Sequence, residues 1–139
     1  MSDAVAPSRM EPPVSAVSAP FWDATRERRY LIQWCGKCDV AIFYPRETCP
    51  WCMGEGLDWR PSPGLGVVYS VTVEHNPQNP MMRDKAPYAV ALIDLDEGIR
   101  VLSNVVAADA YDVSIGARVR VTWEPMSDGR NLPVFELEQ

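Results

Sequence analysis

Apolar and polar side chains alternate along much of the second half of this chain, where β-branched residues are frequent. A period of two is typical of strands that bury one face, so this half is predicted to be all-β. Turn residues separate the alternating segments, as in Asp96-Glu97-Gly98. The predicted strands span residues 66–73, 88–94, 99–105, 118–124 and 132–137.

Five strands are the number that an OB-fold barrel requires. The connection 107–115 separates the third and fourth predicted strands, where that fold often carries a short helix. Strict alternation in the fourth strand predicts that Val119, Val121 and Trp123 face the interior. Residues 59–139 are therefore predicted to form an OB-fold domain, and the protein is expected to be mostly β.

The first thirty residues divide into two segments. Residues 1–18 are rich in Ala, Ser, Pro and Val without a hydrophobic period, which predicts a flexible arm. Residues 19–30 are predicted to be helical, because Pro20 suits the first turn and basic residues gather towards the end. Phe21 and Trp22 need an apolar surface to cover them, either the body of this chain or another subunit. The segment is therefore a candidate docking helix.

Four cysteines in two Cys-x-x-Cys pairs predict a metal site. The pairs are Cys35/Cys38 and Cys49/Cys52, and the chain has no other cysteine. Each pair lets two thiolates converge on one ion, so two pairs complete the tetrahedral shell that Zn²⁺ prefers. A complete shell leaves no place for water or substrate, which predicts a structural zinc in a ribbon over residues 31–58.

Two short strands and a linker are predicted around the metal ligands. Large and small side chains alternate over residues 30–34, which enter the first cysteine turn, and residues 42–46 lead from it towards the second. Together these segments are predicted to form the arms of the ribbon hairpin. The prolines and glycine of residues 59–64 predict a linker between ribbon and barrel.

Composition narrows the classes of function. The chain has 139 residues, 47% of them hydrophobic, so it can bury a core. The formal net charge is −6, which disfavours nucleic acid because phosphate binding needs a basic face. Disulfides would need a secreted protein, and the first segment lacks the basic and apolar regions of a signal peptide. No apolar run reaches the length of a membrane span, so a soluble, cytoplasmic protein is expected.

Candidate catalytic groups are few. A nucleophilic cysteine needs a free thiolate, and all four are assigned to the metal. His75 is the only histidine, and no pattern supplies the acid and nucleophile of a triad around it. The loop 75–87 is long, and its Arg83 and Lys85 could meet an anionic group such as a nucleotide phosphate, or could lie in solvent. His75, at the start of this loop, could also contact a ligand.

The order of these motifs resembles a known family. Its parts are Pro20-Phe21-Trp22, Cys35-Gly36-Lys37-Cys38, Pro45-Arg46 with Cys49-Pro50-Trp51-Cys52, Gly64-Leu65-Gly66, Ala86-Pro87-Tyr88, Asp94-Leu95-Asp96-Glu97-Gly98 and Ile115-Gly116. The chain is similar over residues 20–137 to the acyl-CoA-associated OB-fold proteins with a rubredoxin-like zinc ribbon, long catalogued as domain of unknown function thirty-five. It departs from their usual pattern at Asp39 and Met53, where glycine is frequent.

The resemblance implies a partner enzyme. Members of this family are typically small partners of thiolase-superfamily enzymes, including thiolases, acyltransferase complexes and aldolases that shorten steroid side chains held as CoA thioesters. The partner carries the catalytic residues, so this chain is expected not to be an enzyme on its own. The barrel would lie near the partner's CoA channel, with His75, Arg83 and Lys85 as candidate contacts with acyl-CoA. Phe21 and Trp22 would help to dock the partner.

Two other functions remain open from the sequence. The barrel groove could bind acyl-CoA or another lipid thioester without a partner, and titration of CoA esters into the isolated chain would reveal this. Aromatic residues on an OB face could stack the bases of single-stranded nucleic acid, although the acidic balance disfavours it. A steep salt dependence of binding to single strands would identify that function.

Overall fold

Helix α1 (Ala19–Thr25) and eight β-strands form the regular structure of the computed structural model, which describes residue 7 and residues 9–138. The strands are β1 (Leu31–Cys35), β2 (Val40–Ile42), β3 (Asp58–Pro61), β4 (Leu65–Glu74), β5 (Tyr88–Leu95), β6 (Arg100–Val106), β7 (Arg118–Pro125) and β8 (Asn131–Leu137). Short 3₁₀ turns, Pro80–Lys85 and Ala110–Asp112, lie in the loops after β4 and β6. None of the helices described is long and apolar enough to cross a membrane.

Strands β4 to β8 close into a five-stranded barrel. Hydrogen-bonded neighbours follow the order β4-β5-β6-β8-β7, and β7 pairs with β4 to close the barrel. The pair β6–β8 is parallel and the other pairs are antiparallel. A closed five-stranded barrel of this kind is an OB fold. The predicted fold class, mostly β with an N-terminal helix, a ribbon and a five-stranded barrel, is confirmed, and the barrel strands lie within one residue of their predicted bounds.

The sequence pattern of β7 explains how the barrel core forms. Val119 is fully buried, while Val121 and Trp123 pack against the core. Arg118 and Arg120 are exposed and form ion pairs with carboxylates on the barrel surface. The predicted alternation of this strand is confirmed, and a shift of one residue would exchange its apolar and charged faces.

The ribbon is a three-stranded sheet with β1 in its centre. The strand order is β2-β1-β3. The linker predicted over residues 59–64 is wrong for its first half, because Asp58–Pro61 forms β3 and pairs with β1. A proline is tolerated there because β3 is an edge strand. Strand β2 also begins earlier than predicted, at Val40, since Asp39 has a φ of 54° and closes the turn directly before it.

Helix α1 is shorter than predicted. It ends at Thr25 instead of extending to residue 30, because Arg28 has a φ of 57°, a left-handed conformation that a right-handed helix cannot include. This turn directs Tyr30 into the core, where its side chain is buried. Asn131 fixes the end of the helix by donating its side-chain amide to the Thr25 carbonyl oxygen at 2.8 Å.

Ribbon and barrel share one hydrophobic core. Tyr30 and Ile32 belong to the same buried cluster as the barrel residues, including Phe135. The ring of Tyr30 contacts both Phe135 and Trp123, with ring centroids 6.5 Å and 6.1 Å away. Burial raises the pKa of Tyr30 strongly, and the nearby charge of Glu97 adds to this effect, so the phenol stays neutral. The ribbon therefore cannot separate from the barrel without exposing this core to water.

Two glycines allow the chain to enter the barrel tightly. Gly64 has a φ of 68°, and a Cβ there would overlap the side chain of Val121. Gly66 pairs with both neighbouring strands, and its Cβ would lie 2.6 Å from the Asp94 carbonyl oxygen. Steric contact with the adjacent strand therefore explains the Gly64-Leu65-Gly66 motif.

The N-terminal arm is held against the barrel by polar contacts. Arg9 donates to both carboxylate oxygens of Glu124, at 2.8 Å and 3.0 Å, and to the Asn104 side-chain oxygen at 2.8 Å. Glu11 accepts a hydrogen bond from the backbone N–H of Ser127 at 2.8 Å. A bidentate arginine–carboxylate pair that is mostly shielded from solvent is stronger than an exposed ion pair.

A buried arginine ties the arm to the helix and to the β7–β8 hairpin. Arg130 forms an ion pair with Asp128 at 2.8 Å and donates to the Pro12 carbonyl oxygen at 2.9 Å. Its guanidinium lies 4.8 Å from the ring centroid of Trp22. Three separate segments of the chain therefore meet at one side chain.

The predicted flexible arm covered residues 1–18. Residues 1–6 and 8 lie outside the described residues, and the described remainder is anchored through Arg9, Glu11 and Pro12. These contacts join residues 115 to 118 positions apart. A local pattern of prolines and small residues contains no information about such distant partners.

Candidate functional site

Cys35, Cys38, Cys49 and Cys52 converge at one end of the ribbon. Strand β1 ends at the first of them, the turn to β2 supplies the second, and the loop between β2 and β3 supplies the other two. Two of the thiols are buried and two are half-buried. The four sulfur atoms all lie within 4.8 Å of one another. The structure thus brings together all four predicted metal ligands.

The sulfur spacing fits a tetrahedral metal–thiolate shell. The Sγ atoms of Cys35 and Cys52 are 3.8 Å apart, and those of Cys38 and Cys49 are 3.9 Å apart. Metal–sulfur bonds of about 2.3 Å in a tetrahedron place neighbouring sulfurs roughly 3.8 Å apart. A disulfide would require a separation of about 2.05 Å. The cluster therefore has the donor set and the dimensions to bind one metal ion.

Electrostatic interactions among the four thiols favour a bound cation. Burial raises the pKa of the Cys49 thiol, but backbone N–H groups of Cys52 and Trp51 outweigh burial and lower it to about 7. The Trp51 N–H donates to this sulfur at 3.4 Å. By contrast, hydrogen bonding with Cys52, followed by burial, raises the pKa of Cys38 to about 12. Four thiolates this close together repel one another, so they coexist only around a positive ion.

The residue that follows each Cys-x-x-Cys pair has left-handed backbone geometry. The φ angles are 54° at Asp39 and 61° at Met53. Glycine adopts this conformation without strain, so the structure gives a physical reason for the glycine that the family resemblance leads one to expect at both positions. Aspartate adopts this conformation readily, whereas for methionine it costs roughly 1–2 kcal/mol. Two backbone hydrogen bonds hold Met53 in this conformation. The Met53 N–H donates to the Cys49 carbonyl oxygen at 2.8 Å, and the Cys49 N–H donates to the Gly54 carbonyl oxygen at 3.0 Å.

A buried glutamine positions the second cysteine pair. The Gln33 side-chain amide donates to the Arg46 carbonyl oxygen at 2.8 Å and accepts from the Arg46 N–H at 2.7 Å. This pair of bonds fixes the loop three residues before Cys49. Sequence reasoning missed Gln33, and the only available signal was a polar residue within an otherwise apolar strand.

Two of the three predicted CoA contacts share a pocket. His75 and Arg83 line an open pocket after β4, together with Asn76, Pro77 and Gln78. His75 is exposed, and its ring lies 3.2 Å from the Tyr111 hydroxyl. Lys85 lies elsewhere, 4.0 Å from Glu124 and beside the anchored Arg9. Contact of these residues with acyl-CoA stays a prediction.

The two predicted docking residues pack against their own chain. Trp22 is only 8% exposed. Phe21 is half-buried, and its ring meets those of Trp22 and Tyr30 edge-on, with centroids 5.0 Å and 5.9 Å away. A role for either side chain in docking a partner stays a prediction.

An apolar cleft of about 350 Å³ lies where the arm, helix, ribbon and barrel meet. Its walls include Pro12 of the arm, Phe21 of the helix, Tyr44 of the ribbon and Leu102 of the barrel. Sequence reasoning missed this cleft, because its residues come from four segments that only the tertiary fold brings together.

Two consecutive segments of the chain match models of known domain families. Residues 22–58 match the rubredoxin-like zinc ribbon domain of ChsH2, and residues 59–124 match the C-terminal OB-fold domain of ChsH2. The ribbon match includes all four clustered cysteines. It therefore assigns the cluster to a known type of metal-binding domain.

Several curated relatives resemble the chain. It is 34% identical over 91% of its length to the probable enoyl-CoA hydratase alpha subunit of Thermomonospora curvata. It is 32% identical over 86% of its length to the 3-oxo-4,17-pregnadiene-20-carboxyl-CoA hydratase alpha subunit of Mycobacterium tuberculosis. The chain spans only 39% and 37% of the lengths of these two relatives. It is also 33% identical over 68% of its length to a DUF35 domain-containing scaffold protein of Methanothermobacter thermautotrophicus, of which it spans 71%.

Solved structures share the same architecture. The chain superposes with a TM-score of 0.82 and 33% identity on a chain of a structure described as the Ltp2-ChsH2(DUF35) aldolase, covering 91% of this chain and 98% of that one. A DUF35-family protein from Sulfolobus solfataricus has the same fold at 15% identity, with a TM-score of 0.63, covering 89% of this chain and 87% of that one. The resemblance drawn from the motifs is confirmed. The chain belongs to the ChsH2/DUF35 family, in which a rubredoxin-like zinc ribbon precedes an OB-fold domain.

Proposed function

We propose that this chain is a non-catalytic, zinc-binding subunit of an acyl-CoA enzyme whose catalytic residues lie on a partner chain. The observation that carries the proposal is the superposition, along nearly the whole length of both chains, on a chain of the Ltp2-ChsH2(DUF35) aldolase. The names of the relatives agree with it, because they describe alpha subunits and scaffold proteins. A subunit of this kind would support the fold of the partner and its CoA substrate channel.

The proposed partner is thiolase-like, and the proposed reaction forms or cleaves a carbon–carbon bond. A thiolase, an acyltransferase and a steroid side-chain aldolase are the candidate enzymes. The aldolase superposition supports this class of reaction. The hydratase activity in the names of two relatives is not proposed for this chain, because the chain spans less than two fifths of the length of each.

The side chains of this protein support a non-catalytic role. All four thiols belong to the metal cluster, where bound thiolates are not free nucleophiles. The only histidine of the sequence is exposed and paired with the Tyr111 hydroxyl, and within residues 9–138 no carboxylate is hydrogen-bonded to it. The ion that we assign to the cluster is Zn²⁺, and four sulfur ligands complete its shell, so its role is structural.

Reconstitution with a partner tests the proposal. The isolated chain should not turn over β-ketoacyl-CoA in thiolysis or β-hydroxyacyl-CoA in retro-aldol cleavage, whereas addition of the thiolase-like protein that co-purifies with it should give turnover. The control is the partner alone, which should be less active or less stable without this chain. Sustained turnover by the isolated chain would refute a non-catalytic role. Tight binding of CoA esters to the isolated chain in a calorimetric titration would instead support a free-standing acyl-CoA-binding protein.

We further propose that His75 and Arg83 contact the CoA part of the substrate in that complex. Arg83 is the exposed cation of their shared pocket and could donate to a phosphate oxygen. The position of Lys85 beside Glu124 makes it a weaker candidate.

Replacing Arg83 by alanine is expected to raise the KM of the reconstituted enzyme for acyl-CoA by about tenfold, with kcat nearly unchanged. Loss of a hydrogen bond to a charged group accounts for an effect of about this size. Steady-state kinetics measures it, with Arg120→Ala as the matched control, because Arg120 is an exposed arginine on the barrel surface outside this pocket. Equal effects of the two substitutions would mean that Arg83 acts only through general surface charge.

A further inference from the structure

None of the described residues that line the apolar cleft between arm, helix, ribbon and barrel has a charged side chain. Twenty residues line it, and none is Asp, Glu, Lys, Arg or His. Charged residues make up 23% of the chain, so a surface of this size without one is unusual for this protein. A phosphate or carboxylate would find no cation there, and burying an unpaired charge is costly. The occupant that fits this lining is therefore uncharged.

The glutamine amide and the two serine hydroxyls of the cleft already have partners within the chain. Both ends of the Gln33 amide are bonded to the backbone of Arg46. The Ser103 hydroxyl donates to the Pro133 carbonyl oxygen at 3.1 Å, and the Ser18 hydroxyl pairs with Ser15. An occupant that needs several hydrogen bonds would compete with these contacts. The lining therefore favours a hydrocarbon over a polar molecule such as a sugar or a nucleotide.

The shape and composition of the cleft suit a small rigid or extended hydrocarbon. The volume of about 350 Å³ falls within the range of small-molecule pockets. Seven of the lining residues are aromatic, and they include all three phenylalanines of the chain, Phe21, Phe43 and Phe135. Flat aromatic faces gain contact area against rings and chains at little cost in side-chain entropy. The walls are held in place by the shared core and by the Arg130 contact with Pro12.

We infer that this cleft is a binding site for an uncharged, hydrocarbon-rich group, either a fused-ring system or an aliphatic chain. The inference does not depend on the proposed function, because it concerns the isolated protein. The site is also distinct from the open pocket of His75 and Arg83, with which it shares no lining residue. A CoA thioester could place only its apolar portion here.

Fluorescence titration of the isolated protein with N-phenylnaphthylamine, an uncharged aromatic probe, tests the inference. The probe fluorescence should rise and saturate, and the anionic analogue anilinonaphthalene sulfonate should bind at least about tenfold more weakly because of its charge. Competition by androstenedione or by decanol then distinguishes a fused-ring ligand from a chain ligand. Absence of saturable binding of the uncharged probe would overturn the inference.

A matched pair of substitutions locates the site. Leu102 lines the cleft and is 60% exposed, whereas Ile115 is 70% exposed and lies outside the cleft. Leu102→Glu should weaken probe binding by about tenfold or more, since it introduces a charge, and Ile115→Glu should leave binding unchanged. Circular dichroism and metal content, expected to be equal in both variants, verify that each is folded. Equal probe binding by the two variants would contradict the assignment. Loss of partner binding in Leu102→Glu, together with no probe binding by the unmodified protein, would identify the cleft as a protein-docking surface instead.

Discussion

Replacing Cys49 by serine is expected to remove the metal ion and to destabilise the whole protein. Cys49 is fully buried and is one of four sulfurs that form the cluster. Structural zinc sites contribute an apparent binding free energy of about 10–16 kcal/mol at neutral pH, and serine does not replace the thiolate. Bound zinc should fall from about one ion per chain to less than about a tenth of one, and the free energy of unfolding should fall by about 5 kcal/mol or more.

Elemental analysis by mass spectrometry and thermal unfolding measure these two effects. The control is Gly36→Ala, in the same cysteine turn, where an added Cβ would meet nothing within 4 Å. This variant should keep its metal and its Tm. A Cys49→Ser protein that retains one zinc per chain and its unfolding temperature would show that the four sulfurs do not form the site.

Replacing Phe135 by alanine is expected to lower the free energy of unfolding by about 3–5 kcal/mol, the cost of deleting a large buried aromatic side chain. Phe135 is only 1% exposed, and it packs with Tyr30 in the core that ribbon and barrel share. Because Tyr30 and Ile32 of the ribbon side belong to the barrel core, metal release and barrel unfolding should shift together. Denaturant unfolding, followed in parallel by tryptophan fluorescence and by a zinc-sensitive chromophore, measures both.

Leu102→Ala is the control for this substitution, because Leu102 is 60% exposed. Its effect on stability should stay within about 0.5 kcal/mol. If Phe135→Ala moves the fluorescence transition but not the metal transition, ribbon and barrel unfold separately, and the idea of one cooperative core fails.

The barrel and the metal ligands could be predicted from sequence because both depend on local patterns. Alternation places Val119 and Val121 on the inner face of β7 regardless of what surrounds them. Two Cys-x-x-Cys turns fix the relative positions of their own sulfurs within a few residues. The resemblance to a family then added the expectation of a partner, which no local pattern contains.

The features that sequence reasoning missed depend on distant contacts. The prolines of residues 59–64 indicated a linker, yet β3 forms there because the edge of β1 is available to it. The arm is held in place by the ion pair between Arg9 and Glu124. The left-handed turn at Arg28 directs Tyr30 into a core built from residues that are distant in the sequence. The cleft combines four segments and has no counterpart in any stretch of sequence.

The anchored arm has a practical consequence for fragment design. The match to the zinc ribbon domain begins at residue 22, so a fragment cut at that boundary would look complete by that match alone. Such a fragment would leave the Glu124 carboxylate without Arg9 and the Arg130 guanidinium without the Pro12 carbonyl, and it would remove one wall of the cleft. A fragment that keeps these contacts must therefore include Arg9.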